Sequence, residues 1–291
     1  MKPESGAAPP RRGRSFAPRY PGWLALPLLV YDAIFFLGPL AILVVFSLAN
    51  TVGFGQVSYA LSAVNFRQVW DPLYLDIFKT TLAMAALGTV LTLVVGYPMA
   101  YWMARCLSGG KSLALILVII PFLTSFLIRT YAWFIILDPQ GFLVSFVHDL
   151  GFGGWRPLYT TQAIGIGLVY NYMPLLILPV YASLERIPHS YVEASRDLGA
   201  RGFRTLRTVI LPLALPGIVA GSIFTFALTL GDYITPTLVG GPSSQFIGNV
   251  VYDSVNQSSN LPFAAAFAVV PLAVMGVYLA IARRLGAFEA L

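Results

Sequence analysis

The sequence predicts an all-α integral membrane protein with six transmembrane helices. Three observations carry that prediction. Of 291 residues, 57% are hydrophobic and only 10% are charged, whereas soluble domains are about 45–50% apolar and about 25% charged. The apolar residues gather into long stretches rich in Leu, Val, Ile, Ala and Phe rather than alternating with polar ones, which argues against a transmembrane β-barrel. Basic residues alternate along the chain between rich and poor connections. General disorder is excluded by the same figures, since low hydrophobicity is its signature. Cys106 is the single cysteine, so no disulfide within the chain can hold the fold.

A bilayer core of about 30 Å needs about 20 apolar residues of helix, and backbone groups in lipid must pair within their own segment. The stretches 22–50, 79–104, 113–137, 163–184, 213–231 and 262–282 meet that requirement and make up one six-span domain over 22–284. Ahead of the first lies a tail, 1–21, of Gly, Pro, Ser and Arg that reads as a disordered cytoplasmic segment. The first apolar run far exceeds the about 7–15 residues of a cleaved signal, so it reads as a retained span. Pro98 in the second span, Pro121 in the third, Pro174 and Pro179 in the fourth, Pro216 in the fifth and Pro271 in the sixth each predict a local kink. In the fifth, Gly217-x-x-x-Gly221 predicts close helix packing.

Orientation follows from the Lys and Arg residues. The tail holds five, the 105–112 loop two, the 185–212 loop five and the C-terminal segment two, which places 14 of 18 on one face. By the positive-inside rule that face is cytoplasmic, with both termini (including 285–291) inside and three loops outside. The formal charge of +6 therefore marks topology and a lipid bilayer as partner, with no nucleic acid implied. The outer face carries Asp71, Asp76, Asp138, Asp149, Asp232 and Asp253 against at most four basic residues, a balance compatible with admitting a cation.

The loop after the fourth span is long, polar and patterned. Ser190 followed by Glu193 fits a capping box, Pro188 favours an extended entry, and Gly199 can take the left-handed conformation that ends a helix. The spacing predicts a short cytoplasmic helix at about 191–198, with Tyr191, Ala194 and Leu198 on one face. Two turns are marginal alone and need a surface to pack against, either a groove on another protein or the ends of the chain's own spans.

Ionisable and polar groups inside spans are costly and so are functional candidates. Asp32 lies in the first span, Arg129 late in the third, Asn171 and Tyr172 inside the fourth, and Asp232 at the outer end of the fifth. Snorkelling to the outer interface is the expectation for Arg129 and Asp232. Tyr131, Trp133, Tyr170, Tyr172 and Tyr233 sit toward the outer side, where aromatic belts form, although an aromatic face on a translocation path would also attract a cation. The candidate path is therefore Asp232, Tyr233, Tyr172, Asn171, Asp32 and Trp133. No catalytic or metal set accompanies it. The run Leu107-Ser108-Gly109-Gly110-Lys111 ends like a P-loop, but Arg105 stands where the loop's first glycine is required. His148 and His189 fall on opposite sides of the membrane and cannot share a metal.

Glu193-Ala194-Ser195, three residues, Gly199, nine residues, then Val209-Ile210-Leu211-Pro212 resembles the EAA loop of ATP-binding-cassette (ABC) importer permeases, whose pattern is Glu-Ala-Ala, three, Gly, nine, Ile-x-Leu-Pro. Ser195 and Val209 depart from it by small changes in volume. Pro121 to Trp133 with Gly141-Phe142-Leu143 is similar to the third-span region of spermidine/putrescine permeases. Gly231-Asp232-Tyr233-Ile234-Thr235-Pro236, Leu238 to Pro242 and Ile247-Gly248-Asn249 are similar to their fifth-to-sixth connection. The resemblance covers about residues 20–285. Permeases for ferric iron, thiamine, phosphonates or opines share much of the pattern, so it implies the transporter class more narrowly than the substrate.

The resemblance implies a type I ABC importer permease fold, polyamine import, and a position in a bacterial inner membrane. It implies three kinds of neighbour: a second, non-identical permease, two ATPase subunits that bind ATP and Mg, and an extracytoplasmic substrate-binding protein. This chain would carry no cofactor and do no chemistry, with Tyr191, Glu193, Ala194, Leu198 and Gly199 forming a coupling helix seated in the ATPase. A transporter driven by an ion gradient is the rival class; it needs coupling acids deep in the spans, where Asp32 is the contender.

Overall fold

Among the described residues (26–53, 55–151 and 153–284 of the computed structural model), six helices are long and apolar enough to cross a membrane. They are Leu26–Ser47, Pro72–Cys106, Phe126–Asp149, Thr161–Glu185, Gly202–Gly231 and Leu261–Arg284. The expected disordered tail 1–21 and the C-terminal 285–291 lie outside the described residues. The described residues divide into two units, one up to Ile42 and one from Leu43 onward. In the first, the helix widens into a π-turn at Ala33–Leu37 immediately before Gly38 and Pro39, where proline cannot donate to the ladder.

In the second unit the fourth span is the centre. It is buried over 56% of its most apolar window, against 33% or less in the other spans, and it packs on the second and fifth spans. Small residues set that approach. Gly96 of the second span faces Leu176 and Ile177, while Gly217 and Gly221 of the fifth face Pro179, Ser183 and Leu176. Without a hydrophobic force between helices in lipid, such close backbone approach is what holds them together. One apolar cluster joins Met103, Leu176, Val180, Leu184 and Ile210 toward the basic loops. Another joins Met84, Leu137, Ile164, Leu168 and Phe246 toward the opposite end.

The apolar stretch 113–137 is not one helix. It comprises Lys111–Leu123 and Phe126–Leu137, separated by an extended Thr124 (ψ 156°). Thr124 back-bonds to the Pro121 carbonyl through its N–H (3.3 Å) and its hydroxyl (2.7 Å), which closes the first helix early. The second and fifth helices start earlier than predicted, at Pro72 and Gly202, because Asp71 caps the one through Leu73 N–H and the 185–212 loop is largely helical. Two connections predicted to share a face meet directly. Lys111 pairs with Glu185 at 2.9 Å, and Arg105 donates to the Ile187 carbonyl at 2.8 Å.

Candidate functional site

The residues Asn171, Tyr172, Asp232 and Tyr233 converge on one cavity of about 480 Å³. It opens between three places where regular backbone gives out or polar side chains intrude: the helix break at Thr124, the middle of the fourth span, and the end of the fifth. Asp232 follows the last helical residue of that span, with extended backbone (ψ 119°), and its carboxylate turns back on the chain. Oδ1 accepts from the N–H groups of Ile234 and Thr235, each at 3.0 Å. Oδ2 accepts from Thr235 Oγ1 at 2.6 Å and from Tyr172 Oη at 3.0 Å. Asp232 is 5% exposed, so the expected snorkelling does not occur. Its own turn supplies the donors that make burial tolerable.

Arg129 is a second correction. It too is buried rather than reaching for water. A guanidinium Nη donates at 3.2 Å to the Pro121 carbonyl, which also accepts from Thr124 at the helix break, and the group lies over Phe122 and Phe126, 5.3 and 5.9 Å from the ring centres. Hydrogen bond and aromatic faces together hold a cation that the span would otherwise exclude. Arg129 lines this cavity and also an apolar groove of about 550 Å³ between the second, third and fourth spans. Asn171 is fully buried. Its amide donates to Thr130 Oγ1 at 3.1 Å, while its Oδ1 has no partner among the described residues.

Neither of the other two predicted path residues is among those that line this cavity. Trp133 packs edge-on against Tyr170, 5.3 Å between ring centres, and lines a different apolar groove. Asp32 belongs to the N-terminal unit, on an exposed helical turn. Tyr233 stacks on Tyr252 at 4.7 Å, and it also borders a second, more polar cavity of about 630 Å³ that includes Asp253. No group of three or more His, Cys, Asp or Glu that could hold a metal occurs among the described residues.

The second candidate surface is the short helix after the fourth span. It runs His189–Asp197 rather than 191–198, and the expected capping box is not formed. Pro188 is the N-cap with extended backbone (ψ 141°), which puts Ser190 already inside the first turn, where its hydroxyl cannot cap. Gly199 takes φ +78°, the left-handed conformation that ends the helix. Tyr191, Glu193, Ala194, Leu198 and Gly199 are all exposed, whereas Ser195 is buried and its hydroxyl lies 3.1 Å from Thr205 Oγ1. Phe203, which the sequence did not single out, stands 77% exposed beside Leu198 in chain order, at 88%.

Residues 93–287 match the family described as binding-protein-dependent transport system inner membrane component. The chain is 44% identical over 253 residues to the inner membrane ABC transporter permease protein YdcU of Escherichia coli K12, covering 81% of this chain and 80% of that protein. It is 37% identical over 219 residues to the spermidine/putrescine transport system permease protein PotB of Salmonella typhimurium SL1344, covering 75% and 76%. Among solved structures, a chain of a bacterial alginate ABC transporter, in complex with an alginate pentasaccharide-bound periplasmic protein, superposes with a TM-score of 0.71 at 16% identity, covering 90% of this chain and 95% of that one. A chain of the inward-facing MetNI methionine ABC transporter gives 0.57 at 20% identity, covering 76% and 99%. At those identities the structures speak for fold alone.

Proposed function

The chain belongs to the family of binding-protein-dependent transport system inner membrane components, and from that premise we propose that it is the permease for a polyamine such as spermidine or putrescine. It is an ABC importer permease and a multi-pass inner membrane protein. Both termini lie in the cytoplasm on this reading, because 14 of 18 basic residues fall in the tail, the 105–112 and 185–212 loops and the C-terminal segment. Identity of 37% to PotB supports the polyamine assignment. A buried carboxylate and a tyrosine on one cavity supply the chemistry an ammonium group needs.

One observation carries the coupling role. The five residues expected to dock an ATPase all stand exposed on, or just after, a short helix whose buried Ser195 meets Thr205 of the next helix. Leu198 and Phe203 are large apolar side chains open to the cytoplasmic face, and a cleft on an ATPase subunit would cover them. Two such ATPases bind ATP and Mg, a second permease completes the path, and an extracytoplasmic binding protein delivers the substrate. ATP-driven closure then shifts the permease between two packings through this helix, which is a population shift rather than chemistry in the permease itself. The test is reconstitution of the complete importer in proteoliposomes, with ATP-driven uptake of labelled spermidine and putrescine. Uptake that both unlabelled polyamines compete away is expected. Failure to transport either polyamine, beside uptake of another solute delivered by the same binding protein, would overturn the assignment.

A further inference from the structure

We propose that the Tyr172–Asp232 hydrogen bond is a latch that a substrate ammonium group opens by replacing the tyrosine hydroxyl at Asp232 Oδ2. The proposal rests on the polyamine reading and specifies which acceptor the cation takes and which donor it displaces. A carboxylate offers about four acceptor positions, and in Asp232 all four are filled. Three of those donors come from Ile234 and Thr235, so the carboxylate stays fixed to its own turn whatever the spans do. The fourth, Tyr172 Oη, comes from the middle of the fourth span, sixty residues away in sequence. It is the one bond of the four that comes from another element.

Two further features make the exchange feasible. Tyr172 Oη already lies 3.5 Å from the Leu228 carbonyl oxygen, so a hydroxyl released from Asp232 has a second acceptor and is not orphaned. Asn171 lines the same cavity, and its buried Oδ1 has no partner among the described residues, so the residue holds a spare acceptor for an incoming ammonium. An ammonium has three donors and no acceptor, so it can take both Oδ2 and the amide oxygen. Arg129, on the same cavity, makes no ion pair with Asp232 among the described residues and is held to Pro121 instead. The carboxylate is thus the negative end of the cavity. A site that holds its own donor in place of substrate binds the cation weakly enough to release it, which transport requires.

The complete importer in proteoliposomes, with variants matched for amount in the membrane, tests this through uptake kinetics for putrescine and spermidine. Tyr172→Phe removes the competing hydroxyl and keeps the ring; KM should fall about threefold or more, with kcat no higher than wild type. Asp232→Asn should raise KM at least tenfold. The double variant should match Asp232→Asn, because the hydroxyl acts only through the carboxylate. A Tyr172→Phe protein with unchanged KM, or with KM raised and kcat lowered together as for a packing defect, overturns the latch while leaving polyamine transport intact. If the wild type transports a different organic cation, the polyamine reading fails and the same KM pattern for that cation sustains the latch. If it transports no cation, the latch fails as well.

Discussion

A Cβ added at Gly217 would stand 2.4 Å from the Pro179 carbonyl oxygen and 2.5 Å from Ser183 Oγ, distances at which backbone has to move. One at Gly165, also within the fourth-span bundle, would meet nothing within 4 Å. Gly217→Ala is therefore expected to destabilise the protein by about 1–3 kcal/mol, as overpacking does, and Gly165→Ala to be neutral or to stabilise by up to about 1 kcal/mol. Thermal unfolding of the detergent-solubilised variants measures both; equal effects would mean that the fourth and fifth spans do not approach as described. The Gly217-x-x-x-Gly221 spacing already pointed to this contact in the sequence. Arg129 and Asp232 were less legible. Both stand near a predicted span end, where water is the nearest source of hydrogen bonds, and only the fold supplies others. Arg129 bonds to the Pro121 carbonyl, eight residues earlier at a helix break, and the Tyr172 hydroxyl reaches Asp232 from sixty residues away. Pairings of that kind leave no periodic trace.

At the scale of elements, the short helix at His189–Asp197 shows why a local pattern can mark an element and miss its mechanism. Gly199 terminates the helix as its type implies, while the Ser190–Glu193 pair, a fitting capping box by spacing, falls one step inside a helix that Pro188 starts. Ser195, a departure from the Glu-Ala-Ala pattern, acquires a reason: its hydroxyl meets Thr205 and fastens the helix to the start of the fifth span. Ser195→Ala leaves Thr205 without that partner and should cost about 1 kcal/mol locally, seen as roughly fivefold faster amide exchange over 189–199. Unchanged exchange would show that the pairing contributes nothing to the helix. Glu193→Ala and Gly199→Asp act on the exposed side, so each should abolish ATP-driven uptake while the protein still inserts. Undiminished uptake in both would remove the coupling role from this element. The broken third stretch was harder to foresee, since Pro121 predicts a kink but its sequence does not say that Thr124 will extend and end the helix.

For the whole molecule, the alternation of basic and non-basic connections was the most legible feature, because it depends on composition alone and not on any particular contact. The fold agrees with its internal logic: Arg105 and Lys111, in one connection, bond to Ile187 and Glu185 at the start of another that the charge count places on the same face. Those contacts are the same in either orientation, so an accessible group must set the face. The single cysteine decides it. Cys106 is exposed at the end of the second span, beside Arg105, on the face assigned to the cytoplasm. A membrane-impermeant maleimide should therefore label the wild-type chain in inside-out vesicles and leave it unlabelled in right-side-out vesicles until detergent is added. Because no other thiol exists in the chain, the signal has one source. Labelling confined to right-side-out vesicles would invert the topology, and with it place the 189–197 helix beyond reach of any cytoplasmic ATPase.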